Sequence, residues 1–208
     1  MGNLILWPRQ HEGSDLALVD LILFDSPSFS PLSDPKCLHV ISPLVIPQAI
    51  MSKLSAVLEQ LPDGSSREMN FYDSSFFKEA GKRLPTPSQV KALSKDAHTS
   101  PRPKPVIFKD SEVFVKFGPY VTTAEAQCLW MIKRAFGEEV PVPEIFGWRV
   151  DEENHVFLYM ELIQGRTLLD RWNELTDLDK NSLCTQLSQI TQTLRRLEQD
   201  PRQYIGKS

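Results

Sequence analysis

Residues 113–137 read VFVKFGPYVTTAEAQCLWMIKRAFG, and this stretch sets the expected fold. Its first five residues are β-branched or aromatic around a single lysine, which is typical of a strand. Thr122 precedes Glu125 by three residues, the spacing of a capping box that predicts the start of a helix. Gly137 is a suitable residue for the end of that helix. The stretch therefore predicts a strand followed by a helix over 122–136.

The flanking sequence adds two strand pairs. Residues 106–109 and 112–117 predict a tight hairpin that turns at Asp110-Ser111. Residues 144–150 and 155–162 predict a second pair, turned at 151–154. With a short helix near 167–172 and a long helix over 177–198, this order indicates an α+β fold. Thr176 and Asp179 predict the capped start of the long helix, and Asp200-Pro201 its end.

The first half of the chain has weaker patterns. Residues 1–66 predict a largely irregular extension with one amphipathic helix near 47–61, whose apolar positions are Ile50, Leu54, Val57, Leu58 and Leu61. Residues 67–105 predict a helical lead-in and a linker. Within them, Thr86-Pro87-Ser88-Gln89 is a helix start signal, and that helix is expected to reach Lys95. The proline-rich residues 100–105 then predict an extended linker.

Composition excludes several classes of function. The 208 residues carry a formal net charge of -4 with no long basic block, so nucleic-acid binding is not expected. Three well-separated cysteines predict neither a disulfide framework nor a zinc site, and no metal site is expected. Apolar runs fall short of the roughly 20 residues that cross a bilayer. We therefore expect a cytoplasmic protein without a membrane span.

Three ordered segments resemble one known family. They are the strand VFVK (113–116) followed by Glu125, the segment VPVPEIFGW (140–148) and the segment YMELIQGRTL (159–168). Together they resemble the phosphotransferase enzyme family, which includes aminoglycoside phosphotransferases and choline-kinase-like proteins. The resemblance covers about residues 76–206 and leaves out the N-terminal extension.

The resemblance implies a fold and a function. It implies a protein-kinase-like N-lobe over 106–163, with a small antiparallel sheet and an αC-type helix, followed by a hinge and an incomplete C-lobe over 164–208. It also implies ATP-dependent phosphoryl transfer to a hydroxyl group of a small molecule. Lys116 would then contact the ATP phosphates and Glu125 would hold that lysine, while backbone groups of Glu161, Leu162 and Ile163 would bind adenine.

Each of the two charged residues also has an ordinary structural interpretation. Lys116 could be an exposed strand lysine, and the capping box alone would explain Glu125. On the predicted helix, however, Glu125 shares a face with Leu129 and Ile132. Because an unpaired buried charge costs several kcal/mol, a glutamate on that inward face needs a partner. Pairing with Lys116 would supply one.

The sequence also departs from the family. No glycine-rich loop precedes Lys116, and Phe114 stands where kinases carry a small alanine, so its ring could crowd an adenine site. No histidine follows His155, so a catalytic loop of the form H-G-D-x-x-x-x-N is missing. No catalytic residue can be assigned, and magnesium is expected only if the missing half is supplied. Three hypotheses follow: a truncated and inactive kinase, a noncatalytic nucleotide- or partner-binding module, or a gene fragment without function.

The long helix raises the question of what covers its apolar stripe. The stripe comprises Leu183, Leu187, Ile190, Leu194 and Leu197. Each leucine or isoleucine is worth roughly 1.5–3 kcal/mol when fully buried, so an uncovered stripe would destabilise a domain. We expect it to be covered by the helix over residues 50–61, by a homodimer, or by a protein partner over 183–197.

Overall fold

The computed structural model describes residues 59–97, 99, 100 and 102–196, apart from the side chain of Leu169. The helix predicted near 47–61 lies outside these residues except for its last three positions, of which Glu59 is helical. The last two residues of the predicted long helix, 197 and 198, also lie outside them.

A five-stranded antiparallel sheet organises the described residues, and its strand order is β1-β4-β5-β3-β2. The strands are β1 (Glu68–Asn70), β2 (Val106–Phe108), β3 (Val113–Gly118), β4 (Ile145–Val150) and β5 (Val156–Glu161). Both predicted strand pairs are confirmed, as β2–β3 and β4–β5. The α+β class is confirmed with them.

The helices are α1 (Pro87–Leu93), α2 (Thr123–Phe136), the one-turn α3 (Leu168–Arg171) and α4 (Asp177–Leu194). Thr86 and Thr176 form the predicted capping boxes with Gln89 and Asp179. Helix α1 ends two residues before Lys95, because Ser94 is extended and its hydroxyl donates to the Asp96 carboxylate at 3.0 Å. The long helix ends at Leu194 rather than at residue 198.

Two local predictions were wrong. Residues 109–111 form a 3₁₀ turn and Glu112 adopts a left-handed conformation (φ 54°), so Asp110-Ser111 is not a two-residue hairpin turn. At α2, the Thr122 side chain makes no capping hydrogen bond. The expected capping box does not form. Glu125 pairs with Lys116 instead, and the neighbouring Thr123 hydroxyl donates to the Gly64 carbonyl at 2.9 Å.

Strand β1 was not predicted, and it extends the sheet beyond residues 106–163. Its three residues are too few to show alternation. It pairs with β4 so that Asn70 lies opposite Gly147, next to a bulge in β4. A Cβ atom at Gly147 would lie 2.2 Å from the Met69 carbonyl oxygen, so only glycine permits this approach.

The sheet separates two apolar clusters. The first lies between the sheet and α2, and its largest members include Leu129, Trp130, Ile132, Phe136, Trp148 and Leu158. The second lies on the other face, under residues 76–97, and includes Phe76, Val90, Val115, Phe146, Phe157 and Tyr159. Strand β3 alternates between them as predicted, with Val113, Val115 and Phe117 in the second cluster and Phe114 against the first.

Helix α4 packs on the first cluster. Ile190 and Leu194 are buried in it and Leu187 is partly buried against it, while Leu183 is half-buried. Arg196 forms an ion pair with Glu139 at 3.1 Å beyond the helix end. The domain itself therefore covers the C-terminal part of the described stripe, a cover that the sequence did not suggest. Within the described residues, no helix is both long and apolar enough to cross a membrane.

Candidate functional site

The structure brings Lys116 and Glu125 together. Lys116 Nζ lies 2.6 Å from Glu125 Oε2, and the two side chains are only 10% and 14% exposed. Lys116 is on β3, on the same face as Phe114, and Glu125 is in the first turns of α2. Lys116 is thus not a solvent-exposed strand lysine, and Glu125 is not a capping residue.

Because both side chains are largely buried, neither partner of this ion pair can be removed without a large loss of stability. Removing either partner would leave an uncompensated charge among apolar side chains, which is strongly destabilising. Lys116 lies opposite Leu158 of the central strand β5, and Leu129 follows Glu125 by one helical turn. The pair therefore fixes the lysine ammonium against the inner face of the sheet and ties α2 to β3.

The pKa of Cys128 is shifted by burial and by its position close to Glu125. Burial raises the pKa of its thiol to about 11, and the negative charge of Glu125 contributes to the same shift. A thiol in this environment stays protonated at neutral pH and is a poor nucleophile. Cys128 is thus a packing residue next to the ion pair and not a candidate catalytic group.

The predicted adenine-binding segment directly follows the central strand. The N–H of Glu161 donates to the Glu144 carbonyl and the N–H of Leu162 donates to the Glu112 carbonyl, both at 2.8 Å. These two donors are already used. In the described part of the chain, Ile163 is the one residue of the three whose N–H has no protein acceptor.

A cavity of about 390 Å³ adjoins the same segment, but on the other face of the sheet. Its walls include Phe76 and Phe146 of the second cluster, together with Lys82 and Ile163. Lys82 pairs with Glu79 at 2.8 Å and lies over the Phe76 ring. Because the sheet stands between this cavity and Lys116, the structure does not join the two into one pocket.

A second lysine in an ion pair, the half-buried Lys91, was missed by sequence reasoning. Lys91 of α1 pairs with Asp151 at 2.8 Å and with Glu153 at 2.6 Å, in the turn between β4 and β5. Burial alone would lower the pKa of Lys91, but hydrogen bonds and charge from both carboxylates raise it. For Asp151, burial would raise the pKa, but hydrogen bonds from Lys91 and from the His155 N–H, together with the charges of both residues, lower it overall.

This turn also holds a set of possible metal ligands. Donor atoms of Asp151, Glu153 and His155 lie close enough together to bind one ion. The Lys91 ammonium pairs with both carboxylates and offsets one of their two negative charges, so the group already forms an ion-pair cluster. The alternating Asp-x-Glu-x-His pattern was visible in the sequence, whereas Lys91 is sixty residues upstream of Asp151 and gave no local signal.

The chain matches no protein-family model, no curated protein and no solved structure.

Proposed function

We propose that the sheet and α2 form a kinase-like N-terminal lobe that binds ATP, as in phosphotransferases that act on small hydroxyl compounds. The buried ion pair between Lys116 and Glu125 is the observation that carries this proposal. A strand lysine held by a helix glutamate is the arrangement that such enzymes use to hold nucleotide phosphates. The five-stranded antiparallel sheet with a helix on one face is compatible with such a lobe.

The ion pair prepares Lys116 to bind phosphate. A lysine ammonium has three N–H donors, and the Glu125 contact uses one of them. The other two can donate to oxygens of the α- and β-phosphates. Because Glu125 already fixes the side chain, little rotamer entropy remains to be lost on binding.

The adenine ring would lie near the end of β5. Of the three residues first considered there, Ile163 is proposed to donate its backbone N–H to the ring, since Glu161 and Leu162 donate within the protein. Phe114 is half-buried on the Lys116 face and packs against the first cluster. Its ring would border the base and narrow the site.

Phosphoryl transfer is a further step in the proposal. It requires an aspartate that accepts the substrate proton and residues that hold magnesium, and no described residue is assigned to these roles. We therefore propose that the described residues bind nucleotide without turnover. The acceptor in the parent activity would be a hydroxyl group of a small molecule.

Nucleotide binding can be tested by thermal unfolding with and without MgATP. At ATP about ten times above its Kd, binding stabilises the folded state by about 1.4 kcal/mol. For a chain of this size that raises the Tm by about 3–6 °C. We expect this shift in the unmodified protein and not in Lys116→Met.

Lys91→Met is the matched control, because it also breaks a lysine–carboxylate pair, whose side chains are 18% and 11% exposed. Its starting Tm should fall, but its response to ATP should be preserved. The proposal fails if the unmodified protein shows no shift at millimolar ATP, or if both variants lose the response equally. Phosphate release in the same samples would reveal turnover.

A further inference from the structure

The start of helix α2 is held by distant residues and not by a local cap. The Thr122 side chain makes no capping bond. Instead, Thr123 Oγ1 donates to the Gly64 carbonyl at 2.9 Å and Gln127 Nε2 donates to the Pro62 carbonyl at 2.7 Å. Residues 62–66, here called the anchor segment, therefore bind the first two turns of α2.

The anchor segment lies across the helix from the ion pair. An α-helix turns about 100° per residue, so Thr123 and Gln127 lie about 40° apart on one face. Glu125 lies about 200° from Thr123, on the opposite face. The first turns of α2 are thus fixed from both sides, by Lys116 on one and by the anchor segment on the other.

The anchor segment is itself closely fitted and fixed. A Cβ atom at Gly64 would lie 2.9 Å from Gln127 Nε2, so the backbone passes directly over that side chain. Trp148 Nε1 of β4 donates to the Ser66 carbonyl at 2.8 Å, and β1 continues from this point into the sheet. The anchor segment is therefore bound both to the edge of the sheet and to α2, and it fixes their relative position.

We infer that the anchor segment positions Glu125 for its pairing with Lys116, and that Thr123 and Gln127 are the positioning residues. Uncapped first turns of a helix fray, because their N–H groups lack acceptors. Glu125 lies in that region, so fraying would remove it from the lysine. The consequence for nucleotide affinity rests on the proposed function, whereas the consequence for the ion pair does not.

The test measures how fast the Lys116 amine reacts with an N-hydroxysuccinimide ester of acetic acid, in full-length protein without nucleotide. Labelling at each lysine is quantified by mass spectrometry, with Lys91 as the internal reference. Thr123→Val removes the hydroxyl at constant shape, and Thr123→Ser restores it. Loss of one such hydrogen bond should raise Lys116 labelling about two- to ten-fold.

We expect the increase in Thr123→Val and in Gln127→Leu, near-normal labelling in Thr123→Ser, and unchanged labelling of Lys91 in all three. Unchanged Lys116 labelling in both hydrogen-bond variants would overturn the inference. A parallel rise at Lys91 would overturn it as well, because it would show general loosening of the fold. If Thr123→Val unfolds, Gln127→Leu alone decides between these outcomes.

A nucleotide titration of the same proteins separates the two proposals. If the unmodified protein does not bind ATP, the proposed function fails, and the labelling result still decides the positioning role. If it binds ATP, Thr123→Val should weaken binding only to the extent that it lowers the fraction of molecules in which the ion pair is closed.

Discussion

Lys116, which is buried, and Lys91, which is half-buried, form ion pairs on opposite faces of one sheet. Lys116 pairs with Glu125 beside the first cluster, and Lys91 extends from α1, whose Val90 belongs to the second. Both ammonium groups are held at 2.6–2.8 Å from carboxylate oxygens. Distance alone does not distinguish them, so the proposed nucleotide role of Lys116 depends on its place between β3 and α2.

The Asp151–Lys91 pair makes a pH-dependent contribution to stability. The pKa of folded Asp151 lies below the ordinary value of 3.8, so its contribution is fully present above about pH 4 and is lost as pH falls through the folded pKa. Asp151→Asn keeps an oxygen that can accept from the Glu153 and His155 N–H groups. It removes the charge and replaces the oxygen that faces Lys91 Nζ by an NH2 group, which cannot accept from that ammonium.

We expect Asp151→Asn to lower the free energy of unfolding by about 1–2 kcal/mol at pH 7. The difference from the unmodified protein should shrink as the pH falls below about 4 and through the folded pKa of Asp151. Urea unfolding followed by circular dichroism at several pH values measures this. A difference that stays constant from pH 7 to pH 3 would show that the charge of Asp151 is not the cause.

At the scale of single elements, two helices with similar start signals are held differently. The Thr176 hydroxyl caps α4 by accepting from the Asp179 N–H at 3.2 Å. The Asp179 carboxylate accepts from the Thr176 N–H at 3.0 Å. Thr122 precedes α2 with the same apparent signal but makes no such bond. Both helices begin with a threonine followed three residues later by an acidic residue. At α2, contacts with distant residues replace the local cap.

Thr176→Ala should therefore cost about 1 kcal/mol of stability, the usual value of a lost N-cap. Thr122→Ala should cost less than about 0.5 kcal/mol, as for a residue without a specific contact. Chemical denaturation of the two variants in parallel provides the comparison. Equal losses would mean that Thr122 caps α2 after all.

Local signals were enough to predict most of the elements. Strand-forming residues bounded by turns predicted β3, β4 and β5, and capping residues predicted the starts of α1 and α4. Contacts between distant residues were not predictable. Strand β1 pairs with residues about eighty positions away, and the Gln127 bond to Pro62 spans 65 positions. The Lys116–Glu125 pair spans nine positions and was anticipated through the family resemblance and the face of the helix.

For the molecule as a whole, part of the apolar stripe of α4 is already covered. Ile190 and Leu194 are buried in the first cluster, while Leu183 and Leu187 are half-buried and Leu178 is 81% exposed. The apolar surface left for another contact is thus smaller than the sequence implied. A homodimer or a protein partner over the N-terminal part of the stripe remains a proposal.

Sedimentation of the full chain checks the homodimer proposal. If a dimer forms through this stripe, its population should rise over about 1–100 µM and disappear in Leu183→Lys. Leu178→Lys is the control, since it adds the same charge on the same helix at a fully accessible position. A monomer at every concentration would rule out the homodimer.

The edge strand β1 and the anchor segment are consecutive in the chain, and this links two kinds of motion. Such short edge elements belong to the parts of a protein that open locally at low free energy. An opening that releases β1 from β4 would also release the carbonyls of Pro62 and Gly64 from α2. Amide hydrogen exchange in β1 and in the second turn of α2 should then occur at a common rate, faster than in the central strand β5. The lifetime of the buried ion pair would be set by that shared opening at the sheet edge.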